Sequence, residues 1–275
     1  MEGRIIKNIS NDYVVKTADG LYTCKPRGKF RKDNISPLVG DIVDIDIDNN
    51  YILDIKKRKN SLVRPSVANI DKAIIVTSVK PKLDTNLLDK LLVIISYNNI
   101  EPVICFTKLD LLEDNEKDYI NNIISYYKEI GYTVINNIEL DKIKSILKNS
   151  LSVFVGQSGA GKSTLLNRLD SSLELKTNEI SKALGRGKHT TRHVELYSIY
   201  DGLVVDTPGF SSLDLNELSN MDIRDNTKEM FDNLDKCKYR DCMHFKEDGC
   251  YVKQLVEEEK IIGSRYVNYL SFLKK

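Results

Sequence analysis

Gly156-Gln157-Ser158-Gly159-Ala160-Gly161-Lys162-Ser163 fits the phosphate-loop pattern G-x-x-x-x-G-K-[ST], and its flanks agree with it. Leu151-Ser-Val-Phe-Val155 reads as a short buried strand, and Ser163-Thr-Leu-Leu-Asn-Arg-Leu169 opens a helix with one apolar face. A strand, a glycine turn and a helix N-terminus together make an anion site. Glycines let the backbone approach phosphates, successive N–H groups converge, and the helix dipole adds positive potential there. In such a loop Lys162 reaches the β- and γ-phosphates of a nucleotide and Ser163 ligates Mg²⁺. The plainer alternative is a glycine turn that merely connects strand to helix.

Two other segments favour the nucleotide reading. Asp206-Thr-Pro-Gly209 follows the apolar Leu203-Val-Val205 and fits D-x-x-G, whose aspartate holds Mg²⁺ through water while the glycine N–H senses the γ-phosphate. D-x-P-G is also a common turn, but its place downstream of a phosphate loop supports the first reading. Thr107-Lys108-Leu109-Asp110 resembles N-K-x-D, in which the aspartate accepts hydrogen bonds from guanine and the lysine stem covers the base. Thr107 replaces the usual asparagine, so its hydroxyl offers one donor in place of an amide. Asp110 is the ground for guanine over adenine. This base-reading stretch precedes the phosphate loop, the reverse of the order in an ordinary GTPase, which predicts a circularly permuted nucleotide switch.

Gly185-Arg-Gly-Lys-His189-Thr190-Thr191-Arg-His193 lies between the phosphate loop and D-x-x-G, where a first switch loop belongs. Either Thr190 or Thr191 could complete a Mg²⁺ shell. Phe210 stands where Ras-type proteins carry the glutamine that orients the attacking water, and a phenyl ring cannot do that. His189 is the candidate for the task, since imidazole can hydrogen-bond a water near neutral pH. A solvated loop histidine is the alternative.

The chain has 275 residues, 41% of them hydrophobic, which points to about two domains with real cores. A net charge of +1 excludes a uniformly basic nucleic-acid binder, though not local basic clusters. No apolar run is long enough to span a membrane, and the N-terminus has no signal-peptide core, so a cytoplasmic protein without membrane contact is expected. Five cysteines suit a reducing compartment, where thiols bind metal or sit in cores. Cys24 and Cys105 lie in apolar strands and read as core thiols.

Arg4–Ile9, Tyr13–Thr17, Leu21–Lys25, Asp41–Ile47 and Tyr51–Ile55 read as short strands separated by turn signals, predicting a small OB-like barrel. Basic residues crowd Lys25–Lys32 around Phe30 and recur in Lys56–Lys59. They suit RNA phosphates with a base stacked on the Phe30 ring, or equally a solvated loop. From about Asn69, strands and helices alternate: Ala73–Thr77, Leu87–Tyr97, Val103–Phe106, Tyr119–Ile130, Tyr132–Ile135 and Ile143–Lys148, with Leu196–Tyr200 and Leu203–Val205 later. Such alternation builds a mostly parallel sheet whose ligands gather at the C-terminal strand edge.

Cys237-x₄-Cys242-x-His244-x₅-Cys250 offers four soft ligands for tetrahedral Zn²⁺. A closed shell leaves no position for a catalytic water, so the ion would be structural. Leu255, Ile261, Ile262, Tyr266, Tyr269 and Leu270 recur near helical spacing and predict a packing helix at the end of the chain. The fold class expected is therefore α/β. Residues 1–65 form an OB-like RNA-binding barrel, 66–216 a circularly permuted P-loop GTPase domain, and 217–275 a zinc-binding helical module. The short run from Asp206–Phe210 into that module suggests that bound nucleotide sets the module's position against the barrel.

With these motifs in this order, the chain resembles the RsgA (YjeQ/YloQ) family of circularly permuted GTPases that act in maturation of the small ribosomal subunit. The resemblance covers essentially all of the chain. It implies GTP hydrolysis to GDP stimulated by the small subunit, contact with ribosomal RNA, one structural zinc, Mg²⁺ with GTP, and a monomeric protein. It carries guanine recognition onto Thr107, Lys108 and Asp110. The phosphate loop becomes Gly156, Gln157, Ser158, Gly159, Ala160, Gly161, Lys162, Ser163 and Thr164, followed by Asp206 and Gly209. Mg²⁺ falls to Ser163, Thr190, Thr191 and Asp206, and zinc to Cys237, Cys242, His244 and Cys250. The chain departs from the family at Arg192, where a third threonine is frequent, and at Asn136-Asn137, where no S-A dipeptide supports the guanine loop.

Overall fold

The computed structural model describes residues 1–10, 12–32, 35–63, 66–171, 194–205 and 214–273. Strands β1 (Glu2–Ile9), β2 (Asp12–Lys16), β3 (Leu21–Pro26), β4 (Ile42–Asp46) and β5 (Tyr51–Ile55) close a barrel in the order β1-β2-β3-β5-β4, with β4 pairing back onto β1. Closure follows from side-chain alternation. Ile5, Tyr13, Val15, Cys24, Val43, Ile45 and Ile52 point inward and are buried, and a closed sheet leaves no edge unpaired.

A single helical turn, α1 (Lys29–Lys32), follows β3 and inserts Phe30 into this core, where the ring is 4% exposed. Phe30 is therefore a barrel plug. It is not a platform for a base, which corrects one of the two sequence expectations. The basic stretches around it are largely matched by carboxylates: Lys29 lies 3.4 Å from Asp54, Lys56 2.5 Å from Asp44, and Lys59 pairs with Asp71. Arg58 grips the fully buried Asp41 through Nε and Nη2, each at 2.7 Å.

A hairpin of β6 (Ser61–Val63) and β7 (Ser66–Ala68) leads to a six-stranded sheet of β8 (Lys72–Ser78), β9 (Glu101–Thr107), β10 (Thr133–Asn136), β11 (Leu151–Val155), β12 (Leu196–Ile199) and β13 (Gly202–Val205). Its order is β10-β9-β8-β11-β13-β12, parallel except for the antiparallel edge strand β12. Successive residues of β8 face opposite layers. Ala73 and Ile75 join the core formed with α2 (Thr85–Tyr97), α3 (Asp114–Glu129) and the barrel, while Ile74 and Val76 join that of α4 (Leu140–Leu147) and α5 (Lys162–Leu169). Helix α3 starts earlier than its apolar periodicity suggests, because the Glu116 carboxylate accepts the Glu113 N–H at 2.9 Å and caps the first turn.

Helix α2 is apolar almost all round, so it must be covered on two sides. Its inner face meets the sheet. Val93 and Ile94 on the outer face pack against the C-terminal helices α6 (Asn220–Asp225), α7 (Lys228–Asp232), α8 (Tyr251–Glu257) and α9 (Gly263–Leu273), the last two dividing the terminal helix expected over Leu255–Leu270. Buried charge fastens this packing. Arg265 of α9 donates to Asp89 of α2 at 2.6 Å and to both oxygens of Glu229 on α7 at 2.9 and 3.1 Å. The hydroxyls of Tyr126 and Tyr127 on α3 reach Glu229 and Asp89, each at 2.5 Å. Displacing this module from α2 and α3 would break the Arg265–Asp89 and Tyr126–Glu229 bonds.

Candidate functional site

The parallel strands β8, β9, β10, β11 and β13 end at one edge of the sheet. The chain runs outward from β8 through β9 to β10, then returns to place β11 on the other side of β8. Strand order therefore reverses between β8 and β11, and a crevice opens at their C-terminal ends. Gly156–Ser163 follows β11 there and Thr107–Asp110 follows β9, so segments some fifty residues apart in sequence share one crevice.

Gly156 adopts φ +133°, and a Cβ at that position would lie 2.1 Å from the Val76 carbonyl oxygen of β8, so only glycine fits. Gly161 caps α5 with φ +97°. Lys162 Nζ donates to the Gly156 and Gln157 carbonyls, each at 2.7 Å, and burial lowers its ammonium to about 8. Ser163 is half-buried and Thr164 exposed on the first turn of α5. With Ser158 and Gly159 also exposed, the loop offers backbone N–H groups and a helix N-terminus to an anion.

Thr107 is 2% exposed, and its hydroxyl donates to the Ala160 carbonyl of the phosphate loop at 2.7 Å. That single proton thus ties the base-reading strand to the phosphate loop. Lys108 takes the left-handed conformation, φ +61°, and starts the 3₁₀ turn Leu109–Leu111 that leaves Asp110 exposed at the crevice mouth. Asn136 and Asn137 stand alongside: Asn136 is in register with Phe106, the Asn137 N–H reaches the Phe106 carbonyl at 3.0 Å, and Arg168 of α5 donates to the Asn137 carbonyl at 3.1 Å. The loop after β10 is thereby joined to β9 and to α5.

His189, Thr190, Thr191, Arg192, Asp206, Gly209 and Phe210 lie outside the described residues. Leu196, which opens β12, pairs with Val205, which ends β13, so the start of β12 and the end of β13 lie together at the crevice edge.

The cysteine and histidine set comes together elsewhere. One ligand atom each from Cys237, Cys242, His244 and Cys250 lies within 4.8 Å of all the others. Tetrahedral zinc–thiolate bonds place sulfurs about 3.8 Å apart, so the set fits such an ion. His244 is fully buried, and its Nε2 lies 3.0 Å from the Met230 carbonyl of α7, while Nδ1 faces Cys237 and Cys250 sulfurs at 3.5 and 3.4 Å. A carbonyl can only accept, so Nε2 carries the proton and Nδ1 is left as the ligand. Burial also pushes the Cys242 thiol up to about 12, a cost that a cation in the cluster would reverse.

Two features escaped the sequence reading. The Thr107–Ala160 bond leaves no local trace. The Arg265 network does leave one: Asp89 falls beside Leu88, Leu92 and Val93 on the buried side of α2, and a buried acid needs a partner.

Residues 55–216 match the family model described as RsgA GTPase, and residues 2–52 match that of the RsgA N-terminal domain. The chain is 51% identical over its whole length to the small ribosomal subunit biogenesis GTPase RsgA 1 of Listeria monocytogenes serotype 4b (strain F2365), covering 97% of that protein. It is 47% identical to the RsgA of Enterococcus faecalis (strain ATCC 700802 / V583), over 99% of this chain and 94% of that one. Among solved structures it resembles YloQ, a circularly permuted GTPase, with a TM-score of 0.84, 38% identity and coverage of 99% and 93% of the two chains. YjeQ from Thermotoga maritima gives a TM-score of 0.81 at 33% identity, with coverage of 99% and 97%.

Proposed function

The chain belongs to the family of RsgA GTPases and is a GTP hydrolase, and from that premise we propose that it binds the small ribosomal subunit during biogenesis and hydrolyses GTP faster when the subunit is bound. The observation that carries this reading is the convergence of Thr107–Asp110 and Gly156–Ser163 on one sheet edge, latched by the Thr107–Ala160 bond. In this reading Asp110 accepts from the guanine ring, the Lys108 stem covers it, and Lys162 exchanges its two carbonyl partners for the β- and γ-phosphates. Mg²⁺ arrives with GTP, held by Ser163 with Thr190 or Thr191 and with Asp206. His189 orients the attacking water.

Cys237, Cys242, His244 and Cys250 hold one zinc ion that shapes the loop between α7 and α8 and takes no part in hydrolysis. Ribosomal RNA is the surface met on the subunit, the protein works as a monomer, and it acts in the cytoplasm. Among the described residues, no helix is long and apolar enough to cross a membrane.

Phosphate release from GTP, measured with and without purified small subunits, tests the proposal. Slow turnover alone and a large acceleration with subunits are expected; equal rates would refute it. Asp110→Asn reverses one hydrogen-bond polarity toward the base and should shift preference from guanine to xanthine nucleotides. An unchanged preference would remove Asp110 from base recognition. His189→Ala should slow turnover while leaving GTP affinity intact, and unaltered turnover would remove that histidine from catalysis.

A further inference from the structure

At the seam between the barrel and the sheet, a cavity of about 450 Å³ lies between strands β1 and β2 and the turn joining β12 to β13. Arg4 of β1 and Lys16 of β2 line it, and they are direct cross-strand partners. Like charges facing each other across a strand pair repel, so the arrangement costs stability unless something anionic lies between them. Among the described residues neither forms an ion pair, and Arg4 makes one hydrogen bond, to the Gly40 carbonyl at 3.3 Å. Asp71, whose charge Arg4 feels, is already engaged by Lys59 and by the Leu151 N–H at 2.6 Å. The single acid on the cavity wall, Asp201, is exposed at the turn. Ser198, also exposed on the wall, adds a hydroxyl donor.

We propose that this seam is a binding site for a phosphate group, separate from the nucleotide crevice. A guanidinium fork, an ammonium and a hydroxyl lining one cavity match the several oxygens of a phosphate. The cavity meets β13 at Gly202, whereas the nucleotide edge lies beyond Val205, on the order of 10 Å along the strand. One ligand therefore cannot fill both. Of the barrel cations named in the sequence reading, Arg27, Lys29, Lys56, Arg58 and Lys59 are matched by acids, whereas among the described residues Arg4 and Lys16 have no ion pair, which favours the seam over those five as a phosphate acceptor. The phosphate could come from an RNA backbone or from a free polyphosphate. The RNA source rests on the proposed subunit binding; the free source does not.

The test uses full-length protein and two arms. In the first, affinity for purified small subunits is measured across a salt series for the unaltered protein, Arg4→Gln, Lys16→Gln and a control on α3, Lys128→Gln. Loss of one phosphate contact lowers the slope of log affinity against log salt by about 0.7–0.9. Arg4→Gln and Lys16→Gln should each show that drop, Arg4→Lys should keep the original slope, and Lys128→Gln should match the unaltered protein. In the second arm, inorganic pyrophosphate is titrated calorimetrically into protein saturated with GDP and Mg²⁺, which blocks the nucleotide crevice. Binding that disappears in the double variant Arg4→Gln/Lys16→Gln assigns the seam to a free polyphosphate. Unchanged salt slopes together with no seam-dependent pyrophosphate binding overturn the proposal. Failure of the unaltered protein to bind subunits would instead overturn the proposed function, with the pyrophosphate arm still deciding the seam. Melting temperatures unchanged by the substitutions show that the variants are folded.

Discussion

Replacing Arg265 with methionine should be among the most damaging single changes outside the crevice. Arg265 and Asp89 are each 1% exposed and Glu229 is 4% exposed, so removing the cation strands two carboxylates away from water. Breaking a buried ion pair from one side costs about 3–5 kcal/mol. The remaining donors moderate the loss, since Asp89 keeps the Tyr127 hydroxyl at 2.5 Å and the Asn268 amide at 2.7 Å, and Glu229 keeps the Tyr126 hydroxyl at 2.5 Å. About 4 kcal/mol is the expected loss at pH 8. Urea unfolding followed by circular dichroism measures it, and hydrogen exchange should show protection falling first in α9 and the outer face of α2.

The pH dependence gives a sharper check. Burial already raises the Asp89 carboxyl; against the upward pull of burial, the Arg265 charge and hydrogen bonds hold Glu229 below its ordinary value. Without Arg265, both folded-state values move above the unfolded ones. A carboxyl raised by folding loses stability as pH rises, so the deficit of the variant should shrink as pH falls from 8 toward 5. Adding Asp89→Leu and Glu229→Met should restore most of the loss, because no buried charge is then left unpaired. A single variant within about 1 kcal/mol of the unaltered protein, or a deficit independent of pH, would refute the reasoning.

Gly156→Ala places a methyl group 2.1 Å from the Val76 carbonyl at φ +133°, so the phosphate loop must shift, and fluorescent GTP should bind at least tenfold more weakly; normal affinity would show that the loop relaxes freely. Lys162, at about 8, is charged below that pH and loses its proton above it. Since the phosphates bind the charged form, calorimetric GTP affinity should be flat from pH 6.5 to 7.5, then fall by up to tenfold per unit as pH rises past 8. A flat profile to pH 9.5 would separate that lysine from the phosphates. Chelating the zinc, or Cys250→Ser, should melt the C-terminal module while the barrel stays folded, with one equivalent of zinc released to a colorimetric dye. Release of no metal from purified protein would show that the cluster holds none.

The local chemistry was legible in the sequence wherever it is set by spacing along the chain. The short strands read over Arg4–Ile9 and Tyr13–Thr17 mark the barrel, the glycine spacing of Gly156–Ser163 marks an anion loop, and the Cys237–Cys250 spacing marks a metal set. These patterns carry their own geometry because strand pleat, turn and ligand reach act over a few residues. Other features were decided only when distant segments met. Phe30 reads as a stacking surface until the barrel closes over it. The Thr107 hydroxyl finds the Ala160 carbonyl 53 residues away, and Arg265 acquires its role from Asp89, 176 residues away. Sequence periodicity says which face of an element must be buried. It cannot say what covers that face, because the partner of a buried hydrogen bond or charge is chosen by long-range packing, and that choice exists only in the folded chain.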